Sequence, residues 1–149
     1  MNEERAAGLL GDTALVVFRL NGQFLELAEG LARPAGLTAA WWQVLGAVLD
    51  EPLPVAGIAR KMGITRQSVQ RIADLLVERG MAEYRPNPAH SRAKLVLPTE
   101  SGRAAVRRIA PDQRVAAQRL AQQLGMEGFQ QALDALRRLS TALDALDGG

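Results

Sequence analysis

The sequence VAGIARKMGITRQSVQRIADLLVERG, residues 55–80, contains two apolar repeats of helical spacing on either side of a glycine. The first repeat, at positions i, i+3, i+4 and i+7, consists of Val55, Ile58, Ala59 and Met62. The second repeat consists of Val69, Ile72, Ala73 and Leu76. Gly63 is suited to end the first helix, and the Thr65 hydroxyl can accept from a free backbone N–H of the second. The stretch therefore predicts helix, turn, helix.

The face of the second helix opposite its apolar repeat is polar. Amide and guanidinium groups on an exposed helix face suit the major groove of duplex DNA, where Arg pairs with guanine and Gln with adenine. We expect base contacts from Arg66, Gln67, Gln70 and Arg71 and phosphate contacts from Thr65 and Ser68. Arg66 lies near the apolar edge and could contact phosphate instead, and an ordinary solvated face is the alternative for the whole set. Asp74 would repel phosphates, so we expect it to pair with Arg71 or to lie clear of the groove.

The next stretch, MAEYRPNPAHSRAKLVL at residues 81–97, predicts a β-hairpin. Gly80 is suited to end the second helix, strands follow at Met81–Arg85 and Lys94–Leu97, and the residues between them form the turn. Two such short strands are marginal alone and must lie against the helix pair. We expect Arg92, at the tip, to enter a minor groove, with a free surface arginine as the alternative, and Lys94 to contact phosphate. Helix, turn, helix and hairpin in this order are typical of a winged helix-turn-helix.

Charge is unevenly distributed along the chain. The 149 residues carry a net charge of only +2. Residues 55–108 contain 11 Lys and Arg against 4 acids, whereas the rest of the chain contains 7 against 12. A basic centre between acidic flanks is expected if the centre contacts phosphates, although scattered surface charge would give the same totals.

Long helices are predicted on both sides of this centre. One covers Leu9–Leu31, and a shorter one begins after the cap Thr38 and continues through Leu49. Asp50-Glu51-Pro52-Leu53-Pro54 ends it, because two prolines in three positions exclude a helix interior.

The C-terminal third is also predicted to be helical. Thr99 caps a helix that begins at Glu100, and Pro111 either kinks or divides it. Gly125 separates it from a last helix, about Glu127 to Leu146. An apolar stripe on that helix consists of Phe129, Leu133, Leu136, Leu139, Leu143 and Leu146.

The first helix and the last two have no evident partner within the basic centre. A homodimer would cover them and would place two recognition helices about 34 Å apart, as a palindromic DNA site requires. An intramolecular three-helix bundle is the alternative. We expect residues 1–36 and 100–149 to form a helical dimerisation region and residues 37–99 to form the DNA-binding lobe.

Composition argues against several other classes of protein. Cysteine is absent and there is one histidine, so thiolate zinc sites, disulfides and cysteine redox sensors are excluded. No apolar run approaches the roughly 20 residues that span a bilayer, and the acidic start lacks the basic flank of a secretion signal. We expect a cytoplasmic protein that does not associate with membranes. No catalytic constellation is evident, and we expect no enzymatic activity.

The sequence resembles the MarR family of winged helix-turn-helix transcription regulators over nearly its whole length. Four segments carry the resemblance: VAGIARKMG at 55–63, TRQSVQRI at 65–72, LVERGM at 76–81 and RAKLVLPTESGR at 92–103. Their order and spacing are more specific than any one of them. Two departures are His90, where the family often has Asp two residues before the wing Arg, and Pro98-Thr99, where it often has Thr-Pro.

The resemblance implies a mainly α-helical fold with a small β-hairpin wing, in which both chain ends form the helical dimerisation layer. It also implies a homodimeric repressor that binds double-stranded DNA and leaves it when a small aromatic effector binds. No cofactor is expected. In the family the effector binds in a cleft between that layer and the winged lobe. The residues expected at this cleft here are Phe18, Arg19, Phe24, Trp41 and Trp42. Trp41 and Trp42 are adjacent and face different sides, so we expect one in the core and one at the cleft, unless both serve packing.

A different class of function is also compatible with a winged helix. The fold could serve as a protein-interaction or small-molecule-binding module that does not recognise DNA. Such a module would be favoured by acidic or apolar residues on the second helix and at the hairpin tip. The polar helix face and Arg92 favour DNA instead.

Overall fold

The computed structural model describes residues 2–148, and its elements are mainly helical. The α-helices are Glu3–Ala32 (α1), Ala39–Ala47 (α2), Val55–Met62 (α3), Arg66–Glu78 (α4), Glu100–Leu124 (α5) and Met126–Asp147 (α6). The strands are Leu53–Pro54 (β1), Ala82–Arg85 (β2) and Leu95–Pro98 (β3), and a short 3-10 helix covers Arg33–Ala35. None of the helices within residues 2–148 is long and apolar enough to cross a lipid bilayer.

The chain divides into two compact units, one ending at Ile109 and the other beginning at Ala110. The first unit contains α1 to α4, the three strands and the first turns of α5. Its core confirms both predicted apolar repeats. Ile58 and Ala59 of α3 and Val69, Ala73 and Leu76 of α4 are buried, and the remaining members of the two repeats pack against them.

Local capping defines the ends of the helices in this unit. The Thr38 hydroxyl accepts from the Trp41 backbone N–H at 3.1 Å, and the Thr65 hydroxyl accepts from that of Ser68 at 3.1 Å. Gly80 has a left-handed backbone (φ 73°), and the next N–H, of Met81, donates to the Leu76 carbonyl at 2.9 Å. This is the geometry with which a glycine ends a helix, and it confirms the predicted boundaries of α4.

Two predicted boundaries outside the central pair are wrong. α1 begins at Glu3 rather than Leu9, because the Asn2 side chain accepts from the Arg5 N–H at 3.1 Å and two acids occupy the first turn. α2 ends at Ala47 rather than Leu49. Cations from elsewhere in the unit donate to carbonyls at and after this end: Lys61 to that of Ala47 and Arg103 to that of Leu49.

The sheet has three strands, whereas the sequence predicts two. All neighbours are antiparallel in the order β1-β3-β2, with Leu53 and Tyr84 both opposite Val96. β1 comes from the proline-rich stretch that was expected only to end α2. Proline is compatible with this position because β1 is an edge strand, where a missing N–H breaks no ladder. β2 begins one residue later than predicted, at Ala82, and ends at Arg85 as predicted, whereas the whole of β3 lies one residue later than predicted.

The second unit comprises the rest of α5 and α6. α5 continues without interruption through Pro111 to Leu124, and Gly125, with φ 73°, separates it from α6. None of the described residues of α6 is buried. Its predicted apolar stripe is present but open, with Leu143 54% and Leu146 75% exposed.

Candidate nucleic-acid interface

A groove of about 640 Å³ lies between α4, the start of α3 and the wing, by which we mean residues 82–98. Five of the eight residues predicted to contact DNA line it: Arg66, Gln67, Gln70, Arg92 and Lys94. Ser68 and Arg71 line a neighbouring hollow of about 720 Å³ on the same helix, and Thr65 is the N-cap of that helix. The fold thus places three of the predicted residues of α4 and both predicted residues of the wing around one concave surface.

The cationic side chains of this surface are available to a ligand. Arg66, Arg71, Arg92 and Lys94 are all exposed. The two ion pairs formed within residues 2–148 are Arg85–Glu83 and Arg107–Glu100, and neither uses any of those four cations. Their charge is therefore not neutralised by a neighbouring carboxylate, as a phosphate-binding surface requires.

The two hydroxyl groups at the start of α4 have different roles. The Thr65 hydroxyl accepts from the Ser68 backbone N–H and donates to the Ser68 Oγ at 2.9 Å, so it is committed to capping. The Ser68 hydroxyl accepts in that pair and keeps its own proton for another acceptor. Of the two, Ser68 is thus the better phosphate donor.

Asp74 lines this groove of the protein and is not paired with Arg71. The predicted pairing with Arg71 is therefore wrong, whereas the position of Asp74 relative to the groove of DNA stays a prediction. Its Oδ1 instead accepts from the Tyr84 hydroxyl of β2 and from the Gln70 amide nitrogen at 3.0 Å. Gln70 also donates to the Tyr84 Oη at 3.0 Å. This three-residue cluster, Gln70–Asp74–Tyr84, connects the recognition helix α4 to the wing.

Tyr84 is a groove residue that the sequence prediction missed. Partial burial, followed by the hydrogen bond with Asp74 and the charge of its carboxylate, raises the pKa of the Tyr84 phenol well above its ordinary value. Its proton is donated to the Asp74 carboxylate. The Lys94 ammonium lies 5.8 Å from the centre of its ring. The available signal was strand alternation, since Tyr84 shares a strand face with the buried Ala82.

The tip of the wing is a turn held by its own backbone. Asn87 accepts from the Ala89 N–H through its side chain, at 3.0 Å, and from the His90 N–H through its carbonyl, at 3.1 Å. The His90 carbonyl in turn accepts from the Ala93 N–H at 3.3 Å. These bonds place Arg92 on the groove side without requiring an acidic side chain at position 90.

The start of α5 holds the end of α4. Thr99 donates through its hydroxyl to the Gly80 carbonyl, at 2.6 Å, and through its N–H to the Met81 carbonyl, at 3.0 Å. Gly102 approaches so closely that a Cβ there would lie 2.1 Å from the Met81 oxygen. α4 is therefore clamped at its C-terminal end by backbone contacts that tolerate no side chain.

The predicted effector residues line neither the groove beside the wing nor the neighbouring hollow on α4. Phe18, Arg19 and Phe24 are exposed on α1. Trp41 and Trp42 are both half-buried and pack against the core, as the alternative in which both serve packing expects. The Arg79 guanidinium lies 5.4 Å from the centre of the Trp41 ring. A hollow of about 410 Å³ on α1 is lined by other residues: Gln23, Glu26, Leu27, Gly30 and Leu31.

Comparison with known proteins agrees with this geometry. The sequence model of the MarR family matches residues 35–93. An uncharacterised protein of Mycobacterium tuberculosis is 41% identical over 129 residues, which cover 87% of this chain and 90% of that protein.

Two solved structures show the same fold. The M. tuberculosis transcriptional regulator MosR in complex with DNA superposes with a TM-score of 0.75 at 20% identity, over 89% of this chain and 96% of that one. CouR from Rhodococcus jostii, bound to p-coumaroyl-CoA, gives a TM-score of 0.74 at 25% identity, over 86% and 91%. The chain therefore belongs to the MarR family of transcription regulators and has the winged-helix fold of that family.

Proposed function

We propose that this protein is a homodimeric repressor that binds a palindromic operator through α4 and the wing and is released by a small-molecule effector. The observation that carries the proposal is the groove, in which unpaired cations of both elements surround a polar helix face. Contacts from α4 would supply sequence recognition, and contacts from the helix start and wing would supply affinity.

Each predicted residue has a place in this proposal. Gln67, Gln70 and Arg71 face bases in the major groove, and Arg66 contacts a base or the adjacent phosphate. Thr65 caps α4 while Ser68 donates to phosphate. From the wing, Arg92 enters the minor groove and Lys94 contacts the backbone.

Exposed apolar side chains on the outer helices support the homodimer. On α1, Leu9 is 58% and Phe18 71% exposed; on α6, the open stripe ends at Leu146. Large apolar side chains exposed in such number are typical of protein interaction sites. We propose that residues 1–36 and 100–149 provide the dimer contacts, while residues 37–99, which include most of the family match, form the DNA-binding lobe.

The proposed effector is a small aromatic molecule. CouR, which shares this fold, is bound to p-coumaroyl-CoA. In this chain Phe18 and Phe24 expose their rings on α1, Arg19 adds a positive charge to the same helix, and the half-buried Trp41 and Trp42 lie at the surface of the core. An effector that favours one spacing of the two recognition helices by a few kcal/mol would suffice to release the operator.

Selection of bound duplexes from a random-sequence pool tests the proposal. The expected product is a palindrome whose half-sites are about 34 Å apart, bound with an affinity that falls steeply as salt rises. Absence of any salt-dependent sequence preference would overturn it. A protein that elutes as a monomer and flows through heparin would point instead to a winged-helix module that does not bind DNA.

A further inference from the structure

The Gln70–Asp74–Tyr84 cluster determines which end of the Gln70 amide faces away from the protein. The amide nitrogen lies 3.0 Å from both the Asp74 Oδ1 and the Tyr84 Oη, and the Tyr84 hydroxyl donates to the same carboxylate. All three side chains line the groove between α4 and the wing. The cluster therefore lies within the surface assigned to DNA.

Rotation of the amide by half a turn would be unfavourable. It would place the Gln70 carbonyl oxygen against the Asp74 carboxylate, whose negative charge repels it, and would remove the donor from Oδ1. The Tyr84 proton cannot compensate, because Asp74 already accepts it. An unrestrained glutamine can exchange its donor and acceptor ends at little cost, whereas this one presents its Oε1.

We propose that Tyr84 and Asp74 are positioning residues that hold Gln70 as a hydrogen-bond acceptor, so that it recognises the exocyclic amino group of adenine or cytosine. This inference rests on the proposed function and narrows it. The amino groups in question are adenine N6 and cytosine N4 in the major groove. Inverting that base pair would present a carbonyl oxygen in place of the amino group, and the restrained amide would reject it.

Tyr84→Phe tests the inference because it keeps the ring beneath Lys94 and removes only the hydroxyl. The operator recovered by wild-type protein is compared with a variant operator in which the base pair read by Gln70 is inverted. The wild-type protein is expected to bind the inverted site at least about fivefold more weakly. Tyr84→Phe is expected to lose part of that penalty, because it removes one of the two acceptors of the Gln70 amide nitrogen and leaves the other, and to bind random-sequence DNA as before. Asp74→Asn is expected to lose more of the penalty, because it removes the charge that repels the rotated amide.

A double-substitution cycle separates positioning from a general structural role. In a Gln70→Ala background, Tyr84→Phe should have no further effect on the inversion penalty. Gln67→Ala is the matched control, since Gln67 lies in the same groove outside the cluster, and there the effect of Tyr84→Phe should persist. Circular dichroism and thermal unfolding of each variant check that the fold is retained.

The outcomes distinguish the two proposals. If wild-type protein selects an operator, either of two results would overturn the inference alone. One is that Tyr84→Phe leaves the inversion penalty unchanged. The other is that Tyr84→Phe lowers the penalty by the same amount in the Gln70→Ala background. Failure of wild-type protein to select any operator would overturn the proposed function and this inference with it.

Discussion

Helices α4 and α6 carry apolar stripes of the same spacing, yet the two stripes have opposite environments. On α4, Val69, Ala73 and Leu76 are buried by α2, α3 and the wing, each within the same unit. On α6 no described residue is buried, and Leu143 is 54% exposed. Periodicity thus identifies the face of a helix that avoids water, but it does not identify what covers that face.

Truncation of a buried side chain in the stripe of α4 is expected to have the largest effect. Leu76→Ala is expected to lower the free energy of unfolding by about 2–5 kcal/mol, because Leu76 is fully buried and its neighbours cannot close the cavity. Urea unfolding at a fixed protein concentration measures this change in the free energy of unfolding. The adjacent Leu75, 38% exposed, is the control, and Leu75→Ala should cost much less. Equal losses would show that the stripe on α4 is assigned to the wrong face.

The clamp at the end of α4 is the next most sensitive point. Gly102→Ala is expected to destabilise the protein by about 1–3 kcal/mol, because the new methyl group meets the Met81 carbonyl oxygen and forces α5 outward. Gly46→Ala is the matched control on α2, where a Cβ has no neighbour within 4 Å and alanine favours the helix. Thermal unfolding of both variants should shift in opposite directions; a stable Gly102→Ala protein would contradict the close approach.

A charged residue placed in the exposed apolar stripe of α6 tests whether that stripe forms the dimer contact. Leu143→Asp is expected to weaken dimerisation at least about tenfold, since the interface would have to bury an unpaired carboxylate, while leaving the helical content of the monomer intact. Analytical ultracentrifugation over a range of concentrations measures the change. Thr141→Asp, on the opposite face of α6, should leave the oligomeric state unchanged. If neither variant differs from wild type, α6 does not form the dimer contact.

The smallest effect is expected for single contacts of the proposed DNA-binding surface, where a base contact and a phosphate contact can be told apart. Arg71→Ala should reduce the preference for operator over random DNA by at least about fivefold, because a base contact is lost. Lys94→Ala should weaken binding to both equally and make it less dependent on salt, as loss of a phosphate contact does. Fluorescence anisotropy at several salt concentrations separates the two patterns. Identical patterns would show that the two roles are wrongly assigned.

The cluster around Asp74 shows where prediction from sequence stops. The residues of α4 that face the groove follow from helical spacing, and their exposure follows from the apolar repeat opposite them. The partner of Asp74 does not, because the nearest oppositely charged residue in sequence, Arg71, is not the residue that contacts it. Tyr84 becomes its neighbour only when β2 packs against α4.

The features that follow directly from the order of the amino acids depend on residues within about four positions of one another. The repeats of α3 and α4, the caps Thr38 and Thr65 and the glycine end of α4 are of this kind, because helix geometry brings those atoms together. Tertiary structure alone decided the pairing of β1 with β3, the Asp74–Tyr84 bond and the clamp at Gly102. Those contacts join residues 10 to about 40 positions apart, and such distances are set by the packing of the whole unit rather than by local spacing.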